Sequence, residues 1–595
     1  MTSVDPSVFR SSVVASPVFG MSPVAPYRQV LIGGKHMSSA GHFAAAHASF
    51  LILEAGGNAA DAGAAAGLAM SVLQSELVSF AGIAPIMYYD AATRDVAVID
   101  GLGVWPAAAS ADYFRQHLGG VIPDGLLRAV VPAAPAAYIA LLERFGTMSF
   151  GEVAKFAIDF ARNGFPMHPP MTATIAEWRK DFARWPENAK IYLPNGAPPV
   201  PGVPFFQPEL GDSIQYMVDE ERAASKRGRK AGLQAARDAF YKGDIAQKIV
   251  AYHKANGGWM TAEDMSSYQV RFEKPVHVHF RGNDVYTCGP WSQGPTLAQM
   301  LRLLDGYDLA GMGHNSTAYL HLLAEAIKLC FADREAYYGD PLFVDVPMDA
   351  LLSNAYATER RKQLSAEKAW PAFPPAGAIN GVTPPRFLTP EQVALEDPGL
   401  SRDTSYVAVI DKQGNAISAT PSDATYDMPV IPGTGISPSS RGCQSRTIPG
   451  HPSEVAPGKR PRITPNPAMA IMGGRGVMPF GTPGNDIQPQ AMMQFFLNVS
   501  VFGMNLQDAI EAPRIGSYSH PNSFVPHEYF PGRLAVESRV AGDAIEGLRR
   551  LGHRIYEWPD FAFNATGLCA VAKDFATGTL TGGFDPRRSS YAVGW

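Results

Sequence analysis

The stretch DTSYVAVIDKQGNAISATPS, residues 403–422, predicts a β-hairpin. Tyr406–Ile410 is rich in β-branched and aromatic side chains, which suit a half-buried pleated strand. Residues 411–415 contain a glycine and an asparagine that tolerate the positive φ angles of a tight turn, and Ala416–Thr420 forms the returning strand. Thr404 lies where the first strand starts, directly after a proline-rich segment. The hairpin and the position of Thr404 are therefore the features around which we interpret the chain.

Thr404 has two interpretations. It is either an ordinary residue at a strand end or, if the Asp403–Thr404 bond is cut, a new N-terminal residue. A threonine hydroxyl is a weak nucleophile alone, and a free α-amine with a pKa of about 8 can act as its base. Trp370–Asp403 has many prolines and few periodic apolar residues, which predicts a linker that would let a cut end move away. These residues alone leave both interpretations open.

Composition favours a compact globular protein without a polyanionic partner. The chain has 595 residues, of which 46% are hydrophobic and 18% charged, and its net charge is -5. The basic run Lys226–Lys230 is short and has no aromatic residues within it, so we interpret it as a surface turn. We therefore expect no nucleic-acid partner.

The spacing of potential metal ligands indicates neither a metal site nor a cofactor site. The four cysteines are far apart and form no CxxC pair, and no histidines have HExxH spacing. Residues Met1–Pro26 lack a basic segment followed by an apolar one, and no apolar run has the length of a membrane span. We expect a soluble cytoplasmic protein that needs no cofactor.

Hydrophobic periodicity predicts a mixture of helices and strands along the rest of the chain. Residues 1–40 are expected to form an extended arm. The main predicted elements are two helices within Ala44–Leu73 separated by Gly56–Asn58, strand pairs at Ile83–Asp90 with Val96–Asp100 and at Val276–Phe280 with Asp284–Cys288, a helix at Thr317–Tyr337 and a helical region at Gln488–Ala512.

A glycine-containing turn, Gly481–Asp486, follows the apolar run Val477–Phe480. Turns of this kind present backbone N–H groups without an obstructing side chain, as the binding of an oxyanion requires. The turn is therefore a candidate oxyanion-binding site. The alternative interpretation is a plain turn.

Five segments, in this order along the chain, resemble the γ-glutamyltranspeptidase family of N-terminal-nucleophile hydrolases. They are Leu51–Ala62, Glu325–Arg334, Asp403–Thr404, Ala456–Pro461 and Phe502–Arg514. Three further segments are most similar to the branch of the family that holds oxamate amidohydrolases: Val430–Ser437, Pro449–Pro452 and Asp486–Gln490.

The resemblance implies an α+β fold, a four-layer αββα sandwich, made as one proenzyme. Self-cleavage between Asp403 and Thr404 would give a large subunit 1–403 and a small subunit 404–595. The two would form one structural domain as a heterodimer, with further dimerisation left open. In the family pattern Thr404 is the nucleophile, Ser422 supplies a second hydroxyl beside it, and Gly484 and Asn485 occupy the oxyanion-binding positions.

One departure from the family pattern concerns the substrate. The family binds the glutamyl α-carboxylate with an arginine, whereas Asp100–Pro106 contains none, and neither Val104 nor Trp105 can replace a bidentate clamp. We therefore expect a small-molecule amidohydrolase or acyltransferase without γ-glutamyl specificity. The alternatives are a γ-glutamyltransferase or glutathione hydrolase that uses another arginine, and an unprocessed, catalytically silent homologue.

Five residues are candidates for substrate contact. Phe80, Trp105 and Tyr426 line an apolar acyl pocket or are ordinary core aromatics. Arg441 contacts an anionic group or belongs to a structural salt bridge. Ser405 is a candidate because it directly follows the nucleophile.

Overall fold

The structure, a computed structural model, describes residues 27–388, 392–394 and 404–595. Asp403 lies outside the described residues, as does the chain up to Pro26. Two seven-stranded antiparallel sheets and their flanking helices form most of the molecule. No helix among the described residues is long and apolar enough to cross a membrane.

The predicted hairpin lies at the centre of the first sheet. Val407–Ile410 pairs with Ala416–Ala419 on one side and with Met37–Ala40 on the other. The full strand order is Tyr591–Gly594, Met37–Ala40, Val407–Ile410, Ala416–Ala419, Ile86–Tyr89, Val96–Ile99 and Phe272–Glu273.

The second sheet combines strands from distant parts of the sequence. Its order is Leu31–Gly33, Leu580–Phe584, Cys569–Asp574, Gly476–Gly481, Ala468–Met472, Asn283–Thr287 and Val276–Phe280. Two smaller sheets contain Ile515–Ser517, Arg533–Glu537 and Arg554–Trp558, and Phe165–Pro166 with Pro204–Phe205.

Helices account for most of the remaining regular structure. The longer α-helices, of eight residues or more, are Phe43–Glu54, Ala59–Leu73, Ala134–Phe145, Phe150–Asn163, Pro169–Glu177, Pro208–Ala224, Arg229–Tyr241, Asp244–Ala255, Gly294–Leu304, Thr317–Tyr337, Asn354–Arg361, Gln488–Ser500 and Gly542–Arg550. Shorter helices are Ala111–His117, Arg179–Phe182, Pro186–Tyr192, Ala262–Ser267, Leu309–Met312, Met348–Leu351 and Leu506–Glu511.

The strand Ala468–Met472 separates two hydrophobic cores. Met469 and Ile471 pack into the core that also contains the hairpin. The alternate residues Ala468, Ala470 and Met472 pack with the helices Gly294–Leu304 and Gln488–Ser500. This alternation is expected of a strand that is buried on both faces, and it places helices on the outer side of the second sheet.

Small residues let the helix Ala59–Leu73 approach the hairpin closely. A Cβ atom at Gly63 would lie 2.5 Å from Ile417 Cδ1. The predicted helix break at Gly56–Asn58 is confirmed, and Asn58 caps the second helix by accepting hydrogen bonds from the N–H groups of Ala60 and Asp61. The helix therefore supports the strand that follows Thr404.

Most of the predicted elements are confirmed, including the hairpin, both strand pairs and the helix Thr317–Tyr337. The extended arm predicted for residues 1–40 is wrong in the part that the structure describes. Leu31–Gly33 and Met37–Ala40 are short strands in different sheets. Gly33, which ends the first strand, and Gly34, which follows it, hid this pattern, because they shorten the apolar run below the length of a recognisable strand.

Candidate active site

Sheet register places Thr404 beside Ser422. The two residues form an antiparallel bridge, and their hydroxyl oxygens are 2.8 Å apart. Ser422 is held from the other side, where its backbone N–H donates to the Ile83 carbonyl at 3.0 Å. Gly82 permits this approach, because a Cβ atom there would lie 2.3 Å from the Ser422 carbonyl oxygen. Both hydroxyls are almost completely buried, which fixes their mutual geometry.

Arg441 binds the second hydroxyl of this pair. Its Nη2 donates to Ser422 Oγ, and its Nε lies 3.6 Å from Asp423 Oδ1. Asp423 also accepts hydrogen bonds from the hydroxyls of Ser439 and Ser440. Burial raises the pKa of Asp423, while the Arg441 guanidinium opposes that shift. Arg441 thus takes part in a buried ion pair, and its contact with a substrate anion stays a prediction.

The glycine-containing turn lies next to the strand that follows Thr404. A Cβ atom at Gly481 would lie 2.3 Å from the Tyr406 ring. Gly484 has a φ angle of 116°, and a Cβ atom on it would lie 2.6 Å from Thr566 Cγ2. Asn485 follows with a φ angle of 51°. Glycine is favoured at such angles, so a glycine at position 484 suits the backbone conformation of this turn.

Hydrogen bonds connect this turn to Ser422 through three polar side chains that the sequence analysis missed. Gln293 Nε2 donates to the carbonyl oxygens of Asn485, at 2.7 Å, and Thr464, at 2.9 Å. Gln444 Nε2 donates to Thr464 Oγ1 at 3.0 Å and its Oε1 accepts from Arg441 Nη1 at 3.4 Å. No spacing signal marks these side chains, because they come from three separate segments.

A buried ion pair holds the last residue of the glycine-containing turn. Arg334 Nη1 contacts Asp486 Oδ1, and Ser523 donates to the same carboxylate through its hydroxyl at 2.7 Å and its backbone N–H at 2.8 Å. Burial by itself would raise the pKa of Asp486, but Arg334, His520 and these hydrogen bonds hold it below its ordinary value. Asp486 is therefore ionised, and its contacts hold the end of the turn Gly481–Asp486 in place.

Ser405 faces away from this cluster of hydroxyls. Its Oγ donates to Gln74 Oε1 at 2.7 Å and lies 3.0 Å from Met70 Sδ. Both residues belong to the end of the helix Ala59–Leu73 or follow it directly. The structure gives Ser405 a packing role, and its contact with a substrate stays a prediction.

The three candidate aromatic residues are buried. Trp105 Nε1 donates to Ser445 Oγ at 2.9 Å, and Tyr426 stacks on Trp178 with ring centroids 4.4 Å apart. Phe80 packs near Phe240. These contacts favour the alternative of core aromatics, and a part in a substrate pocket remains a prediction for all three.

One group of potential metal ligands occurs among the described residues, away from Thr404 in the fold. His321, Glu325 and His553 have side-chain donor atoms within 4.8 Å of one another. His321 Nδ1 and His553 Nε2 are 2.8 Å apart, whereas two imidazole ligands of one tetrahedral zinc ion would be about 3.3 Å apart. Lys328 Nζ also donates to Glu325 at 2.7 Å. The short distance between the two imidazoles and the ammonium group on Glu325 therefore disfavour a metal ion here.

Residues 45–595 match the family described as gamma-glutamyltranspeptidase. This chain belongs to that family. It is 32% identical to the glutathione hydrolase-like YwrD proenzyme of Bacillus subtilis (strain 168), over 95% of this chain and 99% of that protein. It is also 32% identical to the acylase ACY 1 proenzyme of Pseudomonas sp. (strain V22), over 92% of each.

The fold agrees with the family assignment. The crystal structure of a cephalosporin acylase from Bacillus halodurans superposes with a TM-score of 0.82 and 26% identity, over 96% of this chain and 98% of that one. The relatives of this chain thus include proteins named as glutathione hydrolases and as acylases. At the level of the family the chemistry is amide hydrolysis or transpeptidation.

Proposed function

We propose that the protein is a self-processing amidohydrolase or acyltransferase whose nucleophile is Thr404. The observation that carries the proposal is the buried pair of hydroxyls, Thr404 Oγ1 and Ser422 Oγ, 2.8 Å apart with Arg441 bound to the second oxygen. A guanidinium that donates to this pair stabilises negative charge on it, as activation of a hydroxyl nucleophile requires. We also infer that the two sheets and their helices form a four-layer αββα sandwich.

Processing would start with attack of Thr404 Oγ1 on the carbonyl carbon of Asp403. The C–N bond breaks as the acyl group moves from nitrogen to oxygen, and the nitrogen keeps its proton and gains another to become the free α-amine. Water then hydrolyses the ester and releases the carboxylate of Asp403. The products are fragments 1–403 and 404–595, which stay together as a heterodimer.

Turnover would use the same hydroxyl with the new α-amine as its base. Thr404 Oγ1 attacks the substrate amide, and the backbone N–H groups at Gly484 and Asn485 stabilise the oxyanion. The amine product leaves, and water or an acceptor amine takes the acyl group from Thr404. No step requires a metal or a cofactor.

The charges near the site favour a substrate other than a γ-glutamyl amide. The two buried arginines on neighbouring segments are already engaged. Arg441 contacts Ser422 and Asp423, and Arg128 Nη1 lies 2.9 Å from Asp427 and 2.6 Å from Asp124. Binding of a glutamyl α-carboxylate by either of these two guanidinium groups would require one of their ion pairs to break, which is costly for buried charges.

A panel of amides tests this specificity. We expect the processed protein to hydrolyse simple acyl and aryl amides with a kcat/KM at least about 10-fold above that for γ-glutamyl-p-nitroanilide, since loss of a charge-assisted bidentate contact costs roughly 1.5–3 kcal/mol. Initial rates of amine release measure the ratio. A preference for the γ-glutamyl substrate would overturn the specificity argument while leaving the nucleophile assignment intact.

Ser422→Ala tests the second hydroxyl. We expect processing and kcat to fall by about 10- to 100-fold, because one charge-assisted hydrogen bond is worth roughly 1.5–3 kcal/mol. The measurement is the rate of appearance of the 404–595 fragment after purification of the precursor. Ser418→Ala is the matched control, since Ser418 is a buried serine on the strand just before Ser422 and its hydroxyl lies 2.6 Å from the Tyr406 hydroxyl instead. Equal rates in the two variants would exclude a role for Ser422.

A further inference from the structure

A cavity lies outside the candidate active site. It has a volume of about 530 Å³ and lies between the start of the helix Phe43–Glu54 and the strand Tyr591–Gly594. That volume is within the range of about 300–1,000 Å³ typical of small-molecule sites. Nothing in the mechanism above uses this space.

The residues that line the cavity make it positive. Arg28 and Arg588 are cationic, and none of the lining residues is an aspartate or a glutamate. The whole chain carries a net charge of -5, so the sign of this cavity is opposite to that of the protein. Clefts lined by one sign of charge concentrate small ions of the other sign.

His42, which lines this space, carries an unpaired hydrogen-bond donor. Its Nδ1 accepts a hydrogen bond from the Ala44 N–H at 3.2 Å, so the proton of the neutral ring is on Nε2. Burial lowers the pKa of His42 to about 3, which keeps the ring neutral at physiological pH. The residue is 2% exposed, and Nε2 has no hydrogen-bond partner. A buried donor without a partner is costly, and an anionic ligand would supply the acceptor.

Arg28 carries a second such donor. Its Nη1 is buried and has no hydrogen-bond partner. Apolar side chains complete the wall, with Phe43 and Tyr591 half exposed. The lining thus combines cationic donors with an apolar face.

The cavity and the candidate catalytic groups share supporting residues. His42 directly follows Gly41, and a Cβ atom at Gly41 would lie 2.1 Å from the Oγ of Ser405, the residue after Thr404. On the other side, a Cβ atom at Gly567 would lie 2.3 Å from Arg588 Cγ and 3.4 Å from the ring of Pro483, which precedes Gly484. His42 and Arg588, two residues of the cavity wall, are therefore neighbours in the chain or in space of Ser405 and Pro483, which flank Thr404 and Gly484.

We propose that this cavity is a subsite for a carboxylate carried on an apolar group, as part of the amide substrate of Thr404. Arg28 and Arg588 pair with the carboxylate, His42 Nε2 donates a hydrogen bond to it, and Phe43 and Tyr591 contact its apolar part. The assignment of the ligand to the substrate rests on the proposed function, whereas binding of the carboxylate itself does not.

Binding to the unprocessed chain tests the cavity without catalysis. The probes are phenylacetate and its neutral analogue phenylacetamide, titrated calorimetrically into the full-length Thr404→Ala protein. We expect phenylacetate to bind at least about 10-fold more tightly than phenylacetamide, since charge-assisted hydrogen bonds are about twice as strong as neutral ones. Equal affinity for the acid and the amide, or no binding of either, would overturn the proposal.

Arginine substitutions locate the site. Arg28→Gln and Arg588→Gln should each weaken phenylacetate binding by about 10-fold and leave phenylacetamide unchanged. Arg222→Gln, a change at a surface ion pair, is the matched control and should have no effect. If Arg441→Gln abolishes binding while both cavity variants bind normally, the anion is held beside Ser422 and the cavity is not the site.

Kinetics with the processed enzyme then assign the ligand. For amides that differ only by a carboxylate on the apolar group, Arg588→Gln should raise KM for the acidic substrate by about 10-fold and leave its kcat unchanged. An equal change for both substrates would exclude a substrate subsite. Loss of processing or of all amide hydrolysis in the wild-type protein would instead refute the proposed function, independently of the binding result.

Discussion

Thr404→Ala is expected to leave the protein as a single full-length chain without amidase activity. The substitution removes the only group that the proposed mechanism uses for both self-cleavage and turnover. We expect kcat to fall by about 10⁴-fold or more, as for loss of the nucleophile in other covalent hydrolases. Denaturing electrophoresis and N-terminal sequencing measure processing, and amine release measures turnover.

The controls for this variant separate chemistry from folding. Thr404→Ser keeps a hydroxyl and should give a fragment that begins at residue 404, at a reduced rate. The Thr404→Ala protein should unfold at nearly the same temperature as the unprocessed Thr404→Ser precursor, because the two differ by one hydroxyl at a position held by backbone contacts. A fragment starting at 404 in the Thr404→Ala protein would exclude this residue as the agent of cleavage.

Asp486→Asn is expected to produce the largest loss of stability. It leaves Arg334 buried without a charged partner, and breaking a buried ion pair on one side costs about 3–5 kcal/mol. The loss should appear in the free energy of unfolding, measured by denaturant titration in the Thr404→Ala background so that every variant is a single chain. Asp212→Asn removes an exposed partner of Arg162 and should cost no more than about 1 kcal/mol.

The pH dependence of the same variant gives an independent readout. The folded-state pKa of Asp486 is below its ordinary value, so its contribution to stability is fully present above about pH 3.9, the unfolded value, and is lost as pH falls through the folded pKa. The difference in unfolding free energy between the parent and Asp486→Asn should therefore be constant near neutral pH and shrink in acid. A difference that grew on acidification would contradict the assigned ion pair.

Much of the local structure could be predicted from the sequence. The hairpin after Thr404, the helix pair broken at Gly56–Asn58 and the helix Thr317–Tyr337 follow from periodicity, turn residues and caps. These signals work because each depends on neighbours within a few residues. The short strands before Gly41 were missed for the same reason, since their pairing depends on strands hundreds of residues away.

The candidate site likewise contains residues that sequence patterns identified and residues that they missed. Ser422 and the turn at Gly484 were found from the family pattern, but no signal distinguished Gln293, Gln444 and Thr464, which connect them. For the aromatic residues, the sequence identifies the side chains but not their contacts. The type of side chain at Trp105 does not reveal whether it faces a substrate or Ser445, to which it donates a hydrogen bond at 2.9 Å.

By itself the sequence determined the strand that begins after Thr404 and the lack of an arginine between Asp100 and Pro106. Only the tertiary structure decided which groups meet at Thr404. Sheet register selects Ser422 as its partner, and a slip of one residue would turn that hydroxyl to the opposite face. The packing of distant segments then directs Arg441 to Ser422 and leaves the His42 donor facing a cavity, because these contacts depend on how the layers assemble rather than on local sequence.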